Sequence, residues 1–230
     1  MQYDGFISSL IERSETLLTQ GANDDLNVTR YLLVMNTGFA LVRDRIRYWD
    51  NKDDRRVRQN PWGKIKAAGK MRLSRPVDVD GETFFEEFRK CGDWAYFRVS
   101  DESRRVPLSA LDVVRSLVHA REVPIERLKL DSVIWPLRNS FAHGGIIPMS
   151  PHQASELYRN QGSLSLVNES DFEIDRVYFV SDWTGDSGKD VLGRIVLKFG
   201  LVAMEAFWKD WRKLVLASGD NALLDLDIAV

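Results

Sequence analysis

Seven apolar side chains, Val28, Leu32, Met35, Phe39, Val42, Ile46 and Trp49, recur at spacings of 4-3-4-3-4-3. At about 3.6 residues per turn this spacing lays one continuous stripe along roughly six turns of helix. A stripe of that length has to be buried against other helices, so it predicts a bundle helix running to about Asp50. A second seam, Leu192, Ile195, Phe199, Val202 and Ala206, spaced 3-4-3-4, predicts a last long helix over 189–217.

The rest of the chain fits around these two. Phe6 to Leu18 presents Phe6, Ile7, Leu10, Ile11, Leu17 and Leu18 on one broad face and predicts a first helix, stopped by Gly21. Glu82 to Cys91 predicts a short helix with Phe84, Phe85 and Phe88 inward, ended by Gly92. Trp94 to Val99 fits a further turn or a short strand. Pro107 suits a first helical position and opens a segment to about Arg121 that buries Leu111, Val114, Leu117 and Val118. Pro124 opens another that reaches His143, with Pro136 inside it and Gly144-Gly145 as its stop. Ser163 to Val167 and Ile174 to Val180 alternate as strands do and predict a small hairpin over 163–180. The sum is a mostly all-α fold: a single helical domain over 1–230, with a long insert at 51–79 and that one hairpin.

The 230 residues are 44% hydrophobic, enough to bury a sizeable core. Cys91 is the single cysteine, so neither an internal disulfide nor a Cys-x-x-Cys pair can form. That fits a reducing compartment, and the cytoplasm is the expected location. Met1 to Leu10 has no basic start and no long apolar core, which argues against a signal peptide. The most apolar stretch, Ile195 to Trp208, carries Lys198 and Glu205 and is too short and too charged to span a bilayer.

The net charge of −2 hides an asymmetry. From Arg43 to Arg75 twelve Lys or Arg face four Asp, a local balance of +8, so the remainder carries −10. Such a stretch can mark a polyanion-binding face, and Arg43, Arg45, Arg47, Arg55, Arg56 and Arg58 are its candidate contacts. It also fits a solvated helix end followed by a basic loop.

Spacing argues against two familiar chemistries, while sequence order leaves a Ser-His-Asp triad open. Gly185-Asp186-Ser187-Gly188-Lys189-Asp190 lies between a predicted strand and a helix, as a phosphate-binding loop would. However, Trp183 stands where the first glycine belongs, and Asp190 where the magnesium-binding hydroxyl belongs. His119, His143 and His152 offer no i, i+3 or i, i+4 pair, so no zinc site and no other metal or cofactor is expected. No Gly-x-Ser-x-Gly elbow is present either.

The run Arg138-Asn139-Ser140-Phe141-Ala142-His143-Gly144-Gly145 carries more chemistry. Arg138 and His143 are five residues apart, about 140° around a straight helix, so they do not share a face but can border one cleft. Asn139 and His143, four apart, do share a face. His143 stands in the last turn, where unpaired carbonyls and the helix dipole favour a cation. A permanent cation beside a proton carrier is a competent kit for metal-independent phosphodiester chemistry. Each residue also has an ordinary reading: an ion pair for Arg138, a helix surface for Asn139, a helix end for His143.

Leu137 to Gly144 resembles the signature of the HEPN superfamily, an Arg followed four to six residues on by a His, with a polar residue after the Arg. The resemblance covers about eight residues. It implies a helical bundle that forms a homodimer, with two motifs near the two-fold axis. It also implies a metal-independent endoribonuclease, acting as a toxin or host-defence effector, with a possible cognate antitoxin protein as partner. By that resemblance Arg138 and His143 are catalytic and Asn139 orients the RNA, whose 2′-hydroxyl attacks the neighbouring phosphate. Asp44, Asp50 and Ser140 are possible further contributors. Two alternatives stand: a non-catalytic HEPN-like module that binds a protein or a nucleotide, and a structural helical protein in which the run is only a helix end.

Overall fold

The computed structural model describes residues 6–19, 27–44, 61–100, 110–117, 120–151, 153, 174–184 and 191–217. Helices α1 (Phe6–Thr19) and α2 (Asn27–Val34) lead into a π-helical stretch, Met35–Leu41. Then follow α3 (Pro61–Gly69), the strands β1 (Val77–Val79) and β2 (Glu82–Phe84), the short helix α4 (Glu86–Lys90) and β3 (Trp94–Ser100). Next come α5 (Ala110–Ser116), a 3-10 turn (Ile125–Arg127) and α6 (Asp131–His143). The strands β4 (Ile146–Met149), β5 (Arg176–Thr184) and β6 (Val191–Gly200) precede the last helix, α7 (Leu201–Ala217).

The fold is mixed α/β, which corrects the all-α expectation. Its centre is a four-stranded antiparallel sheet in the order β3-β6-β5-β4, and β1 and β2 form a second, two-stranded sheet. The largest single error lies in 191–200, expected as the first half of a long helix. Here Ile195, Val196, Leu197 and Phe199 are all buried. The three consecutive apolar residues Ile195 to Leu197 blur the alternation of a strand covered on both faces, and so short an apolar run cannot be told from a buried helix by periodicity. Gly193 marks the difference, because a side chain there would collide with the backbone oxygen of Val99 on β3.

Alternation along the strands divides the core. Val177 and Phe179 on β5 and Ile195, Leu197 and Phe199 on β6 join the main core with helices α1, α2, α6 and α7. Tyr178, Val180 and Val196 join a smaller cluster with Val113, Val114 and Leu117 of α5 and its C-terminal end. Such period-two sorting is the consequence of the pleat.

The first stripe keeps its helix but not its regularity. Val28, Met35, Phe39 and Val42 are buried, while Ile46 and Trp49 lie outside the described residues. The π-helical stretch faces α7: Trp211 Nε1 donates to the Gly38 carbonyl at 2.9 Å. Phe39 meets Trp211 and Phe207 edge-on at 4.9 and 5.2 Å. Pairs of this geometry each contribute about 0.5–1.5 kcal/mol beyond area burial. Gly38 is required by the closeness of α7, since a β-carbon would overlap the Trp208 ring.

Part of the 51–79 insert is core rather than excursion. Ile65, Ala68, Leu73, Val77 and Val79 are buried. The expected partner strand at 163–167 lies outside the described residues, and β5 pairs instead with β6 and β4. The helix expected over 82–91 is shortened by β2, although Phe84, Phe85 and Phe88 are all buried as expected. Phe85 takes a left-handed conformation (φ 57°) before α4. The Phe88 N–H donates to Asp210 Oδ2 on α7 at 3.0 Å, so a distant carboxylate supplies the acceptor that the helix start lacks.

Candidate functional site

Helix α6 sets the geometry. Gly144 closes it in a left-handed conformation (φ 71°) that glycine adopts without strain. The Gly145 N–H returns to the Ser140 carbonyl at 2.9 Å, and the Val180 N–H donates to the Gly145 carbonyl at 2.7 Å. The buried Ser140 hydroxyl reaches the carbonyls of Pro136 and Val180 at 2.8 and 2.9 Å. A side chain at position 145 would strike the Val180 carbonyl. Ser140, Gly144 and Gly145 thus weld the end of α6 to β5. Ser140, a possible chemical contributor from sequence, is a structural hydroxyl.

This weld creates a groove of about 390 Å³ between α6 and the β5–β6 hairpin. Trp135, Asn139 and His143 line the helix side, and Ser181, Asp182, Thr184 and Arg194 line the sheet side. The volume falls in the range of small-molecule sites. Spacings of four place the three helix residues on one face, as expected for Asn139 and His143. His143 is exposed and Asn139 half-buried.

Arg138 is not among the groove-lining residues. Its guanidinium turns to Asp44, with Nε to Oδ1 at 2.9 Å and Nη2 to Oδ2 at 2.6 Å, while Nη1 donates to Asn139 Oδ1 at 3.2 Å. The Asp44 hydrogen bonds raise the pKa of this already strong base. With its oxygen held by Arg138, Asn139 keeps its amide nitrogen, a donor, for a ligand. The structure therefore brings Asn139 and His143 to one groove and joins Arg138 to Asp44 beside it.

The basic candidates are only partly described. Arg43 is buried, with its guanidinium 5.3 Å from the Trp135 ring centroid and Nη1 3.4 Å from Asp44 Oδ1. It supports the wall of the groove rather than an exposed polyanion face. Arg45, Arg47, Arg55, Arg56 and Arg58 lie outside the described residues, as do His119, His152 and Asp50.

Asp182 and Arg194 are the site residues that sequence reasoning missed. They stand opposite each other in the β5–β6 register and form an ion pair at 3.0 Å. The signal is an acid and a base at facing positions of two paired strands, and a helix over 189–217 conceals it.

No family model matches the chain, and no curated protein and no solved structure matches it. Among the described residues no helix is long and apolar enough to cross a membrane, and no group of three His, Cys, Asp or Glu could hold a metal ion.

Proposed function

We propose that the groove between α6 and the β5–β6 hairpin binds RNA and that the chain is a metal-independent endoribonuclease of HEPN type. One observation carries this reading. A solvent-accessible imidazole, a side-chain amide and an Asp–Arg pair line a single groove of nucleotide size. In the reaction the 2′-hydroxyl oxygen forms a bond to the adjacent phosphorus and the bond from phosphorus to the 5′-oxygen breaks. His143 takes the 2′-hydroxyl proton and returns it through solvent water to the leaving oxygen, which ends as a 5′-hydroxyl. The products are a 2′,3′-cyclic phosphate and a 5′-hydroxyl end. Asn139 holds a substrate oxygen through its amide nitrogen. Arg138 acts through Asn139, whose orientation it fixes. Homodimerisation and a cognate inhibitory protein belong to the same proposal and rest on the resemblance of residues 137–144 alone.

The test is incubation of purified protein with mixed RNA in EDTA, with the new ends mapped. Cutting that leaves 2′,3′-cyclic phosphate supports the reading, and intact RNA at every protein concentration contradicts it. A second reading, a nucleotide-binding module without turnover, is favoured by the engagement of Arg138 with Asp44, which leaves that charge compensated. Stable nucleotide binding without cleavage would distinguish it.

A further inference from the structure

We propose that Arg194, positioned by Asp182, is the phosphate-holding cation of the groove, in place of Arg138. The assignment rests on the RNA-binding reading above and names the group that grips the backbone.

The two arginines differ in which edge they have committed. Arg138 spends its Nε–Nη2 edge on Asp44 and its Nη1 on Asn139. That edge is the planar fork that matches two oxygens of a phosphate. Among the described residues Arg194 meets its neighbours end-on. Nη1 donates to Asp182 Oδ1 at 3.0 Å and to the Gly193 carbonyl at 3.3 Å. A guanidinium carries five N–H donors, so the Nε–Nη2 fork remains for a ligand.

Arg194 is also the one arginine among the described groove-lining residues, on the wall facing Asn139 and His143. Its side chain is 15% exposed and lines the groove. Asp182 is 57% exposed and holds the guanidinium from the directly opposite position in the strand register. A phosphate gripped there places its flanking ribose in the groove that His143 borders. A single-stranded polyanion held by its backbone is the ligand class that this arrangement fits.

The probe is a 2′-O-methyl oligoribonucleotide, which binds but cannot undergo 2′-hydroxyl attack. Affinity is measured across a salt series for the full chain and for Arg194→Gln, Arg194→Lys and Asp182→Asn, with melting curves to verify folding. Arg194→Gln should weaken binding about tenfold and flatten the salt dependence by roughly 0.7 in logarithmic slope. Arg194→Lys should recover the slope but not the full affinity, because it restores the charge without the fork. Asp182→Asn keeps the Oδ1 acceptor that positions Arg194 and removes a negative charge beside the phosphate, so it should bind more tightly than the unaltered chain. Wild-type affinity and slope in a folded Arg194→Gln, in a protein that still cleaves RNA, would overturn the assignment and leave the ribonuclease reading intact. Arg194-dependent binding without any cleavage of the matching RNA would uphold the assignment and remove the catalytic reading. Failure of the unaltered chain to bind the probe would overturn both.

Discussion

The Arg138 guanidinium and the Asp44 carboxylate form a two-pronged ion pair, at 2.9 and 2.6 Å, across 94 positions of sequence. It ties the end of the π-helical segment's helix to α6 and directs Arg138 away from the groove. Asp44→Ala should cost only about 0.5–1 kcal/mol of stability, because the Asp44 side chain is 40% exposed and solvent screens the pair. It should also strengthen RNA binding a few-fold by uncovering the cation. Denaturant melts and RNA titrations on the same sample check both, and weakened RNA binding by a normally folded variant would contradict the view of Asp44 as a mask.

The weld between α6 and β5 makes a separate demand. Ser140→Ala removes a buried hydroxyl that reaches two carbonyls and should cost about 1–3 kcal/mol. Gly145→Ala should cost about as much through overlap with Val180. Both should loosen the groove, so their effect on RNA binding should exceed that of an equally destabilising substitution in the α5 cluster, such as Val113→Ala. Equal effects would show that the weld does not shape the groove.

Asp210 predicts a pH effect. Burial pushes its carboxyl above the ordinary aspartate range, against the lowering influence of the Phe88 N–H. The native state therefore holds this proton more tightly than the unfolded chain, and stability falls as pH rises from the ordinary aspartate value through the raised one. Asp210→Asn keeps an acceptor for Phe88 and has no such titration. The stability difference between Asp210→Asn and wild type should move in favour of the variant as pH rises from about 4 to 7. Melting temperatures across that range measure it, and a constant difference would contradict the burial account.

The helices of this fold were more legible than its sheet, for a physical reason. The stripe that starts at Val28 buries Val28, Met35, Phe39 and Val42 on one face, and 3.6-residue periodicity reports that recurrence even though Leu33 and Leu41 are exposed on the other side. Strand β6 alternates only weakly: Arg194 and Lys198 share a face with Val196, but Ile195, Val196 and Leu197 are consecutive and all buried, so the polar–apolar contrast fades where the sheet is deepest. Leu17, assigned to the buried face of α1, is 60% exposed; the end of a helix can outrun its partner, which no local pattern records.

The site divides similarly. Asn139 and His143 share a face because helix geometry dictates it, and Gly144 ends the helix as glycine after a helical run should. The Arg138–Asp44 pair depends on how two helices meet, and the Asp182–Arg194 pair on strand register. Both are tertiary facts. Asp44 was only one of three possible contributors from sequence, and Arg194 was seen only as part of an assumed helix.

On the proposed function, His143 moves a proton for RNA cleavage in this groove. His143 is exposed, and its replacement removes little packing. His143→Ala, compared with wild type on the same RNA in EDTA, should retain the wild-type melting temperature and RNA affinity while losing about 100-fold or more in cleavage rate. Cleavage by His143→Ala at the wild-type rate would contradict the account.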